Sequence, residues 1–179
     1  MQTARHLERL WTAGRYSKLI DMIATPRRMA LPDEPRKVIA AAVVLLRLQE
    51  LSQPIGSFGK VMRGTLIAEQ AADGSWADDV RVTALCVRAL GRGDAADAGR
   101  AALTRVQHND RGFPALAVKR LPGDVPATIE VVGHLLHLPP GELPDIDGAL
   151  SWLDRECPKK DRRQLALLHA RRTLRTAAA

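Results

Sequence analysis

An all-α protein of stacked helical hairpins is what this sequence predicts, and three observations predict it. First, the chain repeats itself: Arg63 and Arg100, Leu66 and Leu103, Gln70 and Gln107, Asp73 and Asp110, and Trp76 and Phe113 are each 37 positions apart. A fixed period of this size marks units that bury their apolar faces only by stacking on one another. Second, aromatic residues make up 3% of the chain while hydrophobic residues as a whole make up 46%. The core must therefore be built from Leu, Val, Ile and Ala, of which Leu and Ala are strong helix formers. Third, Pro and Gly cut the chain into helix-length pieces, and alternating β-branched stretches bounded by turn residues are absent.

The pieces follow in order. Thr3 to Thr25 reads as two short helices broken near Gly14 and ending before Pro26. Gly14-Arg15-Tyr16 within that pair is similar to a fragment of a tetratricopeptide unit. Pro32 and Pro35 open a helix from Arg36 to Leu51, since proline is tolerated in a helix's first turn. After a turn at Gln53 to Ser57, Phe58 to Gln70 leads the first repeat, and Val80 to Leu90 returns, stopped by Gly91-Arg92-Gly93. Ala95 to Gln107 leads the second repeat, and Pro126 to Leu138 returns, closed by Pro139-Pro140-Gly141. Asp147 to Glu156 and Arg162 to Thr176 form a third, degenerate pair.

The return helices match each other as well. Asp79-Val80-x-x-Thr83-x-x-Val87 corresponds to Asp124-Val125-x-x-Thr128-x-x-Val132, 45 positions on, so eight extra residues belong to the loop around Ala117 to Pro122. Asp79 and Asp124 stand where a helix N-cap accepts hydrogen bonds from unpaired amides.

With 179 residues the chain is one domain's worth, read as a single helical-repeat domain. Its parts are N-terminal helices (1–57), repeats (58–157) and a basic C-terminal helix (158–179). Cys86 and Cys157 are too few for a disulfide framework and read as buried thiols. The N-terminus has charges where a signal peptide needs an apolar run, and Val38 to Leu46 is about half a membrane span. A cytoplasmic protein without a transmembrane segment is the expectation.

Arg63-Gly64 followed by Gln70-x-x-x-Gly74-Ser75-Trp76 resembles the QW motif of the terpenoid cyclase and protein prenyltransferase superfamily. Arg100-Ala101 followed by Gln107 and Gly112-Phe113 resembles a weaker copy, with one inserted residue and Phe for Trp. Leu150-Ser151-Trp152-Leu153 is similar to the motif's leading helix alone. The resemblance covers about Val61 to Leu138 and implies an α/α toroid in which the motif ties outer helices together. Physically, Gln70 can bond helix-end carbonyls and the following loop, Gly74 permits positive φ at a sharp reversal, and Trp76 plugs the space between hairpins. A closed ring of six hairpins would need on the order of 250 residues, so this chain reads as an incomplete α/α toroid. The superfamily's chemistry is not repeated: Trp76-Ala77-Asp78-Asp79 has Trp in place of the first Asp of the cyclase acid motif. Around Cys86, His134 and His137 nothing matches the prenyltransferase zinc motifs, and no thioester signature is present.

Three sets of residues bear chemistry. Asp78 and Asp79, with Arg81, lie at the mouth of a return helix, as a ligand-binding edge or as a cap with a local ion pair. Glu130, His134 and His137 share one face of an otherwise apolar helix, as an acid/base pair, a partial metal site or a pair bonded to a neighbouring hairpin. A zinc site draws three or four ligands, and a strong third is missing, so neither metal nor cofactor is expected. The net charge of +7 is concentrated at the C-terminus, where Lys159, Lys160, Arg162, Arg163, Arg171, Arg172 and Arg175 face one acid, Asp161. Phosphates or an anionic membrane surface would be met there, although a solvated helix end explains the same charges.

These observations favour a non-catalytic binding or scaffolding module presenting its concave face or its basic end to a protein partner. Unclosed ends also suit a homodimer. The alternatives are an enzyme or accessory subunit acting on an isoprenoid or other apolar substrate, and a nucleic-acid-associated protein using the C-terminal helix.

Overall fold

The computed structural model describes residues 4–20, 36–51, 56–117, 121–138 and 144–177. Among these the chain is helical and holds no strand; one isolated antiparallel bridge joins Asp79 to Leu116. The all-α expectation therefore holds. The chain divides into two compact units, 1–70 and 71–179, and the division falls within the first QW-like segment.

The first unit contains α1 (Ala4–Thr12), α2 (Tyr16–Ile20), α3 (Arg36–Glu50) and α4 (Ser57–Ala68). Gly14 separates α1 from α2 at φ +64°, and the amide of Arg15 donates back to Leu10 O at 2.9 Å. The rings of Trp11 and Tyr16 close this corner with centroids 5.0 Å apart. Both α2 and α4 pack on α3, in which every residue from Val38 to Leu46 is buried. An all-round apolar helix is a buried one, as its composition requires. Thr3, the expected continuation to Thr25, Pro32 and Pro35, and positions 52–55 of the expected turn lie outside the described residues.

The second unit contains α5 (Val80–Leu90), α6 (Asp94–Val106), α7 (Val125–Leu135), α8 (Ile146–Glu156) and α9 (Arg162–Ala177), the last preceded by a 3-10 turn at Lys159–Asp161. Packing joins α5 to α6 and α7, α7 to α8 and α9, and α8 to α9. The limits of α5 are those the sequence predicts, and those of the other helices differ by at most three residues, most at α7, which ends three residues early, with Leu136 as its C-cap. Trp76, Phe113, Leu85, Leu103, Leu135 and Leu153 form the fully buried centre of this unit.

Small residues decide how closely these helices approach. A Cβ at Gly99 on α6 would stand 2.5 Å from Val87 Cγ2 and 2.8 Å from Trp76 Cζ3. Trp76 is thus seated against the one α6 position that leaves room for its ring. Trp152 of α8 lies over Gly112 and Gly123 in the same way, 2.9 Å and 2.7 Å from where their Cβ atoms would be.

Candidate functional site

The two corners that lead into α5 and α7 are built from the same bonds. In the first, the Ala71 amide donates to Ser75 O at 2.9 Å and the Gly74 amide to Ala71 O at 2.9 Å. In the second, 37 residues on, His108 donates to Gly112 O at 3.0 Å and Arg111 to His108 O at 2.8 Å. Asp73 Oδ1 accepts from the Ser75 amide, and Asp110 Oδ1 from the Gly112 amide, at 2.9 and 2.8 Å. Next comes the buried aromatic. The Trp76 amide donates to Thr83 Oγ1 at 3.0 Å, and the Phe113 amide donates to Thr128 Oγ1 at 2.8 Å.

The register corrects one detail of the sequence reading. Gly74 is matched by Arg111, not Gly112, and no residue is inserted: both adopt positive φ, +87° and +80°. Gly112 is required for space under Trp152 instead. The eight additional residues lie between Phe113 and Asp124, because Asp124 N–H closes onto Phe113 O at 2.8 Å just as Asp79 N–H closes onto Trp76 O at 3.2 Å.

Gln107 ties its corner to the next hairpin. Its Nε2 donates to Arg111 O and Asp145 O, both at 2.9 Å, and its Oε1 accepts from the Asp145 amide at 3.0 Å. Asp145 in turn caps α8 through the Gly148 amide. Of the motif's basic residues, Arg100 bonds Asp97 and Gly91 O, while Arg63 is half-buried in the first unit.

Asp79 and Asp78 do not converge on a common point. Asp79 is 2% exposed, accepts from the amides of Arg81 and Val82, and holds the Arg81 guanidinium in a bidentate pair at 3.1 and 2.6 Å. That pair keeps Arg81 more firmly protonated than usual. Asp78 is exposed at φ +49°, and its backbone carbonyl accepts from the Ala117 amide. The first is a cap with an ion pair; the second is a turn residue. A cavity of about 230 Å³ opens beside this corner, lined by Asp73, Ser75, Thr83, Leu103, Arg105 and Ala117. The Ser75 hydroxyl and amide hold the Asp73 carboxyl below the usual range, and the Arg105 guanidinium donates to Asp73 O.

Glu130, His134 and His137 meet different surroundings. Glu130 and His134 are half-buried, and Glu130 Oε2 and His134 Nδ1 are buried without a hydrogen-bond partner among the described residues. Burial pushes the Glu130 carboxyl up to about 7 and the His134 imidazole down to about 3. His137 is exposed and its Nε2 lies 3.2 Å from an Arg171 guanidinium nitrogen. No group of three or more metal-ligating side chains occurs among the described residues.

The basic C-terminus splits in two. Arg172 forms a bidentate pair with Asp147 of α8 at 2.7 and 2.8 Å, and holds that carboxyl below its ordinary value. Arg175 donates to Leu135 O and Leu138 O at the end of α7, at 3.5 and 3.4 Å. Arg171, Arg172 and Arg175 are therefore turned onto neighbouring helices. Lys159, Lys160, Arg162 and Arg163 are exposed, and no side-chain hydrogen bond or ion pair joins them to the described residues. They surround the N-terminus of α9, where the helix dipole disfavours positive charge. Thr83, Thr128 and Arg111 are the contributors whose roles the sequence reading leaves unassigned.

Comparisons with protein families, with curated proteins and with solved structures find no match to this chain. Among the described residues no helix is long and apolar enough to cross a membrane. Cys86 and Cys157 are buried free thiols, and burial raises the pKa of each.

Proposed function

We propose that this chain is a non-catalytic helical-repeat binding module, akin to an incomplete α/α toroid, that docks an acidic protein partner at the start of α9. The observation that carries the reading is the exposed quartet Lys159, Lys160, Arg162 and Arg163 at the positive end of a helix dipole. Each such charge costs the helix about 0.3–1 kcal/mol, which an anionic partner would reverse. Leu167, 53% exposed one turn further on, adds an apolar contact suited to a protein surface. The helix has no Phe, Tyr or Trp on which bases could stack, and its one imidazole, His169, is held by Asp154. Kinship with the toroids is supported by paired corners in which a glutamine, a left-handed residue and a buried aromatic recur in phase. Catalysis on an apolar substrate would call for convergent carboxylates, whereas Asp79 is consumed as a cap and Asp78 is apart from it.

Fluorescence anisotropy with a polyglutamate peptide and a single-stranded oligonucleotide of equal charge tests this. The peptide is expected to bind in low salt and to be lost when all four cations are replaced by Gln. Preference for the oligonucleotide would favour the nucleic-acid reading, and equal binding by the quadruple variant would refute the site.

A further inference from the structure

Helix α6 lies on the first corner as α8 lies on the second. The two helices end alike. The Gln107 amide donates to Leu103 O with Gln107 at φ −57° and ψ 120°, and the Cys157 amide donates to Leu153 O with Cys157 at φ −69° and ψ 119°. Positions on α6 and α8 therefore correspond at a separation of 50. The corners meet them in one register. A Cβ at Gly74 would stand 3.3 Å from Ala98 Cβ, and their counterparts Arg111 and Gly148 also meet, a Cβ at Gly148 standing 3.1 Å from Arg111 Cγ.

The next pair differs in what it encloses. At the second corner Gly112 is covered by Trp152, with 2.9 Å between the ring and the place of a Cβ. At the first corner the counterparts are Ser75 and Ala102, and both line the cavity of about 230 Å³, together with Asp73, Leu103, Arg105 and Val106. An apolar cavity of about 150 Å³ admits benzene, so this one has room for two fused rings. Ser75 carries the Cβ that Gly112 lacks, so a ring here sits farther from the corner than Trp152 does.

The two Asp residues differ in parallel. Asp110 Oδ1 accepts from the Gly112 amide, and its Oδ2 accepts from the Gly123 amide of the long loop at 3.4 Å. Asp73 Oδ1 accepts from the Ser75 amide and hydroxyl at 2.9 and 2.7 Å, and no donor among the described residues reaches its Oδ2. The second corner thus draws an indole ring from α8 and an N–H from its loop. One molecule with a fused ring and an N–H supplies both to the first. Asp73 and Arg105 are exposed and opposite in charge, so that molecule needs no net charge.

We propose that the cavity between Ser75 and Ala102 is a binding site for a neutral two-ring heterocycle of the indole class, its rings on Ala102, Leu103 and Val106 and its N–H donating to the Asp73 carboxylate. This site is independent of the four cations at the start of α9.

Titration calorimetry on the full chain with indole, benzofuran and N-acetyltryptophanamide tests it. Benzofuran has nearly the shape of indole and no N–H, so indole should bind at least about tenfold more tightly, one decade in Kd. Asp73→Asn, which places a donor where the carboxylate accepts, should erase that preference. Ala102→Phe supplies a ring from α6 itself and should abolish binding of both compounds while raising the melting temperature. Ala102→Leu fills less and should weaken both. Circular dichroism melts establish that the variants are folded. N-acetyltryptophanamide separates a free heterocycle from the tryptophan side chain of another protein, and should bind more weakly than indole. Absence of indole binding at millimolar concentration, equal affinity for benzofuran, a preference that survives Asp73→Asn, unchanged indole binding in both Ala102 variants, or tighter binding of N-acetyltryptophanamide would overturn the proposal.

Discussion

The corners at 71–79 and 108–124 use one hydrogen-bonding plan with different residues. The first has Gly at its left-handed position and Trp as its plug; the second has Arg at +80° and Phe. The first passes from aromatic to cap in three steps and the second in eleven, yet both close with an amide-to-carbonyl bond between the same two positions. What is constant is therefore the set of groups that satisfy buried backbone: an Asp before the aromatic, a Thr hydroxyl on it, and an Asp cap after it. Loop length differs without disturbing these bonds, and the left-handed residue differs because its surroundings do: Gly74 is buried against Ala98, whereas Arg111 is exposed.

That comparison can be broken most severely at the plugs. Trp76→Ala and Phe113→Ala should each cost about 3–5 kcal/mol, measured by denaturant unfolding, since both rings are fully buried. A loss under 1 kcal/mol at either would separate the two corners. Next in size are Thr83→Val and Thr128→Val, which keep shape but strand a buried amide; each should cost about 1–3 kcal/mol, and by similar amounts. The left-handed positions should then diverge. Gly74→Ala is expected to destabilise, because its Cβ would stand 2.5 Å from Ala98 O. Arg111→Gly should raise stability by up to about 1 kcal/mol by relieving a non-glycine residue at positive φ.

A gentler test uses pH. The Glu130 carboxyl is raised from 4.5 to about 7 by burial, so its contribution is present below 4.5 and lost as pH rises through 7. The His134 imidazole is lowered from 6.5 to about 3, so its contribution is present above 6.5 and lost as pH falls through 3. Between 4.5 and 6.5 the two slopes oppose, each at most about 1.4 kcal/mol per pH unit. Melting profiles should therefore be flatter across that window in the parent than in either variant. Glu130→Gln should gain stability with rising pH, and His134→Gln should lose it.

Much of the fold is legible in the sequence because its signals are local. The 37-residue period, the Asp caps at 79 and 124 and the Gly91 stop each act within a few residues of where they are read. The roles of Thr83 and Thr128 are not legible. A threonine in a helix's first turn has many uses, and their aromatic partners lie seven and fifteen residues away. The basic tail reads as one block, yet Asp147, twenty-five residues from Arg172, and the end of α7 engage its second half. Sequence spacing within one helix carries no record of such cross-helix partners. It does place Glu130 and His134 on one face; what surrounds each is set by α5 and α9.

The equivalence of the corners is tested most directly by native-state hydrogen exchange at the Trp76 and Phe113 amides, which lie outside the helices and rely on a threonine hydroxyl. Both should be protected to nearly the same extent, with Thr83→Val releasing only Trp76 and Thr128→Val only Phe113. Rapid exchange of either amide in the unaltered chain would contradict the account.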